Sequence, residues 1–265
     1  MRAPCPNRRS VLAGLAAGAG LGLTPISAQS MLDATSLGVL AGSSSDQTKA
    51  LQVAMTTAAS RGSPLLLPAG TIAVEDLVFP SNLLVQGVPG RTVLSCSGAA
   101  MATNNLMLQD ITFEAAPTST SDAPLLALTG AEGVVLERCG FHGAPAVALA
   151  ITEAAATIRD CSFRDSGDAA LHAQDSRGIL VTGNRISGAG NAGIRIWRTE
   201  PGPDRSIVTA NHIERIDWRG GGDGQNGNGI NVFNADEVIV AGNHLADCAF
   251  TAVRLNATDD CQVTG

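Results

Sequence analysis

Apolar and polar residues alternate in short runs along most of this chain. Ile194-Arg195-Ile196, Ile230-Asn231-Val232 and Val253-Arg254-Leu255 all read apolar-polar-apolar. That is the two-residue period of a strand with one buried face, not helical spacing. Gly, Asn, Asp and Ser separate the runs, as turns require. The runs also sit inside a larger pattern. Val181-Thr182-Gly183-Asn184-Arg185-Ile186 returns as Val208-Thr209-Ala210-Asn211-His212-Ile213 and as Val240-Ala241-Gly242-Asn243-His244-Leu245. Earlier copies carry Cys161, Cys139 and Ile111 at the keyed position, and the six copies are spaced by 28, 22, 23, 27 and 32 residues. Such self-similarity is the mark of a solenoid, in which one unit cannot bury its apolar face alone.

A unit this short holds two or three strands with their turns and no helix. The expected fold is therefore all-β, a single-stranded parallel β-helix with one rung per unit. Stacking at the strand spacing of ~4.8 Å puts equivalent residues in columns. Leu136, Ile158, Val181, Val208 and Val240 form one inward column. Phe113, Phe141 and Phe163 form another, continued by Ile186, Ile213 and Leu245. Asn184, Asn211 and Asn243 make an asparagine ladder at a corner, where Asn tolerates left-handed backbone. Cys139 and Cys161 share that column and are read as small core residues.

The pattern becomes helical only over residues 46–60, where Ala50-Leu51, Met55 and Ala58 repeat and Ser45 or Asp46 is the cap. A coil of strands has an open apolar end, and this helix is its natural plug. Leu67-Pro68-Ala69-Gly70-Thr71 follows as a turn between strands. The order Asp46-Gln47-Thr48, an Ala-rich helix, then Leu67-Pro68-Ala69-Gly70-Thr71 resembles the N-terminal cap of pectin-lyase-like right-handed β-helix proteins. With the signal described next, the whole chain resembles the twin-arginine-translocated repetitive proteins of α-proteobacteria. That resemblance implies right-handedness and an export route, and it implies no reaction.

Residues 1–28 carry Arg2, Arg8 and Arg9 ahead of an uncharged run from Val11 to Leu23. The run is short for a bilayer span and suits a cleaved signal. Asn7-Arg8-Arg9-Ser10-Val11-Leu12 looks like a twin-arginine motif. Residues 29–265 are then one β-helix domain, periplasmic or secreted, with no further membrane segment. Loss of three arginines and no acid takes the formal charge from −7 to −10. A chain that acidic is a poor nucleic-acid binder. Of the six cysteines Cys5 would leave with the signal, and the remaining five, an odd number without Cys-x-x-Cys spacing, point to neither a disulfide framework nor zinc. Val263-Thr264-Gly265 repeats Val181-Thr182-Gly183, so the last rung reads as incomplete, and further coils or a protein partner are expected on it.

Function on such a coil belongs to outward side chains stacked on one sheet and to long turns beside it. The aligned second strands give one outward row, Ala148, His172, Arg195, Asn231 and Arg254. The next is Ala150, Gln174, Trp197, Phe233 and Asn256. Two insertions flank these rows, Arg198–Arg205 and Ile216–Asn228. Exposed tryptophan beside Arg, Asn and Asp suits a sugar platform, so a polysaccharide is the expected partner. Trp197, Asn231, Asp217, Trp218, Arg219 and Asp223 are the candidate binding residues.

A lyase or epimerase acting on uronic acids neutralises the carboxylate, removes the C5 proton and supplies a proton elsewhere. Arg195 and Arg254 are candidates for the first task, and His172 or an arginine for the second. The only lysine is Lys49, on the helix, and there is no tyrosine, so a lysine base and a His/Tyr pair are excluded. The Asp-Pro-His-Asp motif of alginate epimerases and the full polygalacturonase set are both missing. No cofactor is expected, apart from a calcium ion considered at Asp217 and Asp223. Two readings stay open: a lyase or epimerase on uronic-acid glycans, and a non-catalytic envelope solenoid that binds a glycan or a protein.

Overall fold

A computed structural model describes residues 30–117, 119, 122–218, 220 and 224–265. The signal segment lies outside them, as do Arg219 and Asp223. Three parallel sheets of ten, eight and eight strands run the length of the coil. Each rung passes through all three in turn: Ala156–Arg159 in the first, Ser162–Ser166 in the second, Ala169–Gln174 in the third. Among the described residues no helix is long and apolar enough to cross a membrane.

The expected columns are present in register. Leu136 pairs with Ile158, Ile158 with Val181, Val181 with Val208, and Val208 with Val240. Phe113, Phe141 and Phe163 stack nearly parallel, with centroids 5.3 and 4.8 Å apart. Ile186, Ile213 and Leu245 continue that column. Vertical repetition lets one side-chain shape fill the core rung after rung.

The asparagine ladder forms at the corner between the first and second sheets. The Asn211 side-chain oxygen accepts from the Asn184 backbone N–H and side-chain amide, both at 2.9 Å. Asn243 does the same for Asn211 at 3.0 and 2.9 Å. Each amide also donates to a carbonyl of the preceding rung. The left-handed residue is not the asparagine, however. It is the residue before it: Gly183, Ala210 and Gly242 have φ of 68°, 55° and 59°, and Asp160, before Cys161 in the same column, has 54°. The asparagine is selected by burial and hydrogen bonding, because its amide satisfies backbone groups that water cannot reach. Cys139 and Cys161 take over part of the task, their thiols donating to the carbonyls of Leu108 and Leu136. Both are free thiols. Contact with Cys139 and burial raise the Cys161 pKa well above that of an ordinary thiol.

The helix spans Thr48–Ser60, starting two residues later than the pattern suggests. Asp46 accepts from the Thr48 N–H at 3.0 Å. Leu51, Ala54, Met55 and Ala58 are buried against the core. The cap also covers edge hydrogen-bonding groups. Gln52 donates to the Val78 carbonyl at 2.8 Å and accepts from its N–H at 3.1 Å, pairing the outermost strand of the third sheet. Gly42 and Gln47 donate to Thr71 and Ala73 on the outermost strand of the second, and Leu32–Asp33 pairs with Leu65–Leu66 in the first. Edge groups that would template another strand are thereby occupied at this end.

Two expectations about the third sheet are corrected. His172 pairs with Ala150, not Ala148, and Gln174 pairs with Thr152. The stretch from Arg198 is not a free loop, because the strand Ala192–Pro203 runs on through it. That strand slips register against Asn228–Asp236 between Trp197 and Gly202, and Asn234 donates to the Arg198 and Thr199 carbonyls across the slip.

Candidate functional site

The outward rows of the third sheet are otherwise as expected. His172, Arg195, Asn231 and Arg254 pair in sequence, and so do Gln174, Trp197, Phe233 and Asn256. Alternation places these residues outward, but contacts from neighbouring turns decide which of them meet solvent. Asn231 is fully buried, its amide donating to the Gln225 carbonyl at 2.8 Å. Arg195 is only 5% exposed, and its two terminal nitrogens each donate at 2.7 Å to one oxygen of Asp168. A two-pronged pair of this kind is strong and fixes the guanidinium plane. Arg195 is therefore not a free clamp for a substrate carboxylate; Asp168 already holds that place. The guanidinium also lies 5.1 Å from the Trp197 ring centroid, a cation–π distance.

Trp197 stands edge-on between His172 at 5.2 Å and Phe233 at 6.0 Å. His172 Nε2, Trp197 Nε1, Arg195 Nε and Asn231 Oδ1 are buried without a protein partner. Burial, with help from the Arg195 charge, lowers the His172 pKa and keeps its imidazole neutral. Arg254 makes no ion pair with a described residue and lies against Gly224. His172 and Arg254 are three strands apart, roughly 14 Å at the strand spacing. The expected trio of His172, Arg195 and Arg254 therefore does not converge on one sugar.

Asp217 and Trp218 are elsewhere. They leave the second sheet at the corner where every rung turns into the third. A groove of about 820 Å³ runs along that corner through five rungs, lined by residues 144–145, 165–167, 188–190, 215–217 and 247–249. Five rungs span roughly 19 Å. Glycine shapes the floor. A Cβ on Gly167 would lie 1.9 Å from the Pro145 carbonyl oxygen, and one on Gly190 would lie 2.1 Å from that of Gly167. Only hydrogen fits there, so backbone lies open along the channel. Asp165, Arg215, Asp217 and Asp247 rim it, with Arg215 at 3.7 Å from Asp165. Trp218, which does not line the groove, lies against its own turn, where a Cβ on Gly220 would lie 2.4 Å from its Cζ2.

The sequence reading found Asp217 but missed Asp165, Arg215 and Asp247, and it missed Asp168. A signal existed: Asp165, Arg215 and Asp247 each stand four residues after the keyed Cys161, Asn211 and Asn243. Among the described residues no group of three or more His, Cys, Asp or Glu is placed to hold a metal ion.

Residues 147–265 match the family model of the right-handed beta helix region. The fold is a right-handed parallel β-helix. Solved structures agree along nearly the whole chain. ORF18 of Geobacillus virus E2 superposes with a TM-score of 0.61 at 10% identity, over 88% of this chain and 61% of its own. The A-module of the Azotobacter vinelandii mannuronan C-5 epimerase AlgE6 gives 0.54 at 15% identity, over 88% and 79%. Tailspike protein 2 of Escherichia coli O157:H7 bacteriophage CAB120 gives 0.52 at 12% identity, over 90% and 39%. This chain thus spans less than two thirds of the two phage proteins. A search of curated proteins finds no significant match. Likeness at these identities concerns the β-helix, and chemistry has to be argued from the site.

Proposed function

We propose that this β-helix protein binds a polysaccharide lengthwise in the groove between its second and third sheets. The observation that carries the reading is the groove itself: five stacked corners, with Gly167, Gly188 and Gly190 lining two of them, rimmed by Asp165, Arg215, Asp217 and Asp247. A polymer of similar units laid along a coil of similar rungs meets the same donors and acceptors repeatedly. The carboxylates suit sugar hydroxyls. Three of them against one arginine disfavour a polyanion, so a neutral or basic glycan fits better than a uronan. The mannuronan epimerase among the structural neighbours supports polysaccharide as the ligand class.

The test is a panel of immobilised glycans, neutral, basic and uronic, with and without calcium. Retention of a neutral or basic glycan, weakened in Asp217→Asn and Asp247→Asn, is expected. No retention on any glycan would sink the proposal.

A lyase or epimerase on uronic-acid glycans is the second reading. It is favoured by one observation, the neutral His172 with its unpartnered Nε2 beside Trp197. It is weakened by the Arg195–Asp168 pair and by the distance to Arg254. Unsaturated product or C5 inversion from pectate or alginate, abolished in His172→Ala, would establish it.

Export belongs to the same proposal. Asn7-Arg8-Arg9-Ser10-Val11-Leu12 and the likeness to twin-arginine-exported repeat proteins support it. Changing Arg8 and Arg9 to Lys together should hold the protein in the cytoplasm. Undiminished export of that double variant would count against this route.

A further inference from the structure

The second sheet carries a different surface. Its outward positions form a checkerboard across three strands. Ser162 and Arg164 lie on Ser162–Ser166, Arg185 and Ser187 on Arg185–Ala189, and His212 and Glu214 on His212–Ile216. Ser162 pairs with Arg185 and Arg164 with Ser187, so the two arginines are diagonal neighbours. That diagonal is roughly 8 Å, from one strand spacing and two residue rises. These six residues, with Phe163 and Ile186 beneath, enclose a pocket of about 420 Å³.

Arg138, Arg159, Arg195, Arg205 and Arg215 each have a carboxylate partner. Arg164 and Arg185 have none among the described residues, although they share one pocket. Glu214, the acid within it, is already engaged. Ser187 Oγ donates to one of its oxygens at 3.0 Å and His212 Nε2 meets the other at 3.2 Å. Arg215 Nε adds a third guanidinium at the rim, donating to Ser187 Oγ at 2.9 Å. His244 lies tilted against His212 with ring centroids 4.6 Å apart. Two unpaired guanidinium groups and the Ser162 hydroxyl therefore face a concave space whose only lining carboxylate is occupied.

We propose that this pocket is a binding site for a tetrahedral oxyanion, phosphate or sulfate, free or as a monoester. Each guanidinium presents several N–H donors in a planar fork. A tetrahedral anion has oxygens enough to accept from Arg164, Arg185 and Ser162 together, whereas a carboxylate offers two. Arg215 borders both, but no lining residue of this pocket lines the groove, and the site does not depend on the glycan reading.

Titration calorimetry tests it with inorganic phosphate, inorganic sulfate, glucose 6-phosphate and glucose 6-sulfate, chloride holding the ionic strength constant. Saturable binding of at least one probe is expected. It should weaken by about tenfold or more in Arg185→Gln and in Arg164→Gln, the loss of one charge-assisted contact. Arg91→Gln, on another part of the surface, should bind as the parent does. Tighter binding of an ester than of the free ion assigns the site to an ester, the reverse assigns it to the ion, and both support the site. No saturable heat with any probe, or equal affinity in folded Arg164→Gln and Arg185→Gln variants, overturns it. Melting curves that match the parent establish that both variants are folded.

Discussion

Single residues in this coil are held by neighbours a full rung away. Asn211 is the clearest case, because four hydrogen bonds pass through one amide. Replacing it with Ala strands the Asn184 backbone N–H and the Val181 carbonyl in a buried corner. Asn211→Ala should cost roughly 2–4 kcal/mol, seen as a lower urea midpoint. An unchanged midpoint would mean that the ladder is ornamental. His172 sets a pH dependence. Its folded pKa is below the ordinary value of 6.5, chiefly through burial and then through Arg195. The unfolded chain binds more protons between those two values, so stability is full above about 6.5 and falls as the pH drops below it. NMR titration of the His172 ring should give a midpoint under 6.5, and a midpoint above it contradicts the burial argument. Cys96 is one of the buried thiols, pushed up to about 12 by desolvation, and should resist alkylation at neutral pH.

At the scale of the element, turns matter as much as strands. The corner between the second and third sheets stacks tightly only because Gly167 and Gly190 have no side chain. Gly190→Ala should destabilise by roughly 1–3 kcal/mol, as overpacking does. Gly202→Ala is the control, since a Cβ there meets nothing closer than Arg198 Nε at 3.9 Å. Equal melting temperatures for the two variants would refute close packing at the corner. The helix Thr48–Ser60 was legible from its spacing, because an apolar stripe at period 3.6 needs no partner to be recognised. Its second task was not legible. That Gln52 pairs both polar groups of Val78 depends on a strand 26 residues away.

At the scale of the molecule, charge and coil geometry combine. The chain has a formal charge of −7 and its groove is rimmed by three carboxylates and one arginine. Polyuronate binding should therefore be weakest at low salt and should improve as ions screen the repulsion. Binding of a neutral glycan should hardly change. Affinity electrophoresis at two ionic strengths distinguishes them, and a polyuronate that binds more tightly at low salt would contradict the assigned groove. The coil also separates what the sequence suggested was one site. Asp217 lines the groove, His172 and Trp197 stand on the adjoining sheet, and Arg254 is three strands along from His172.

The sequence by itself determined the rung, the inward columns and the asparagine ladder through its repeat, and the capping helix through its 3.6-residue spacing. Each of these follows from periodicity, and periodicity survives in one dimension. Only the tertiary structure decided that Asp168 claims Arg195 from one rung away, and that the Gln225 carbonyl covers Asn231. It alone brought Asp165, Arg215, Asp217 and Asp247 to one corner and left Arg164 and Arg185 facing a common pocket. Those outcomes depend on which side chain reaches which neighbour across a turn or a whole rung, from six residues for Gln225 and Asn231 to 27 for Asp168 and Arg195. Alternation of apolar and polar positions fixes the side of the sheet, but the register and the length of each turn choose the partner.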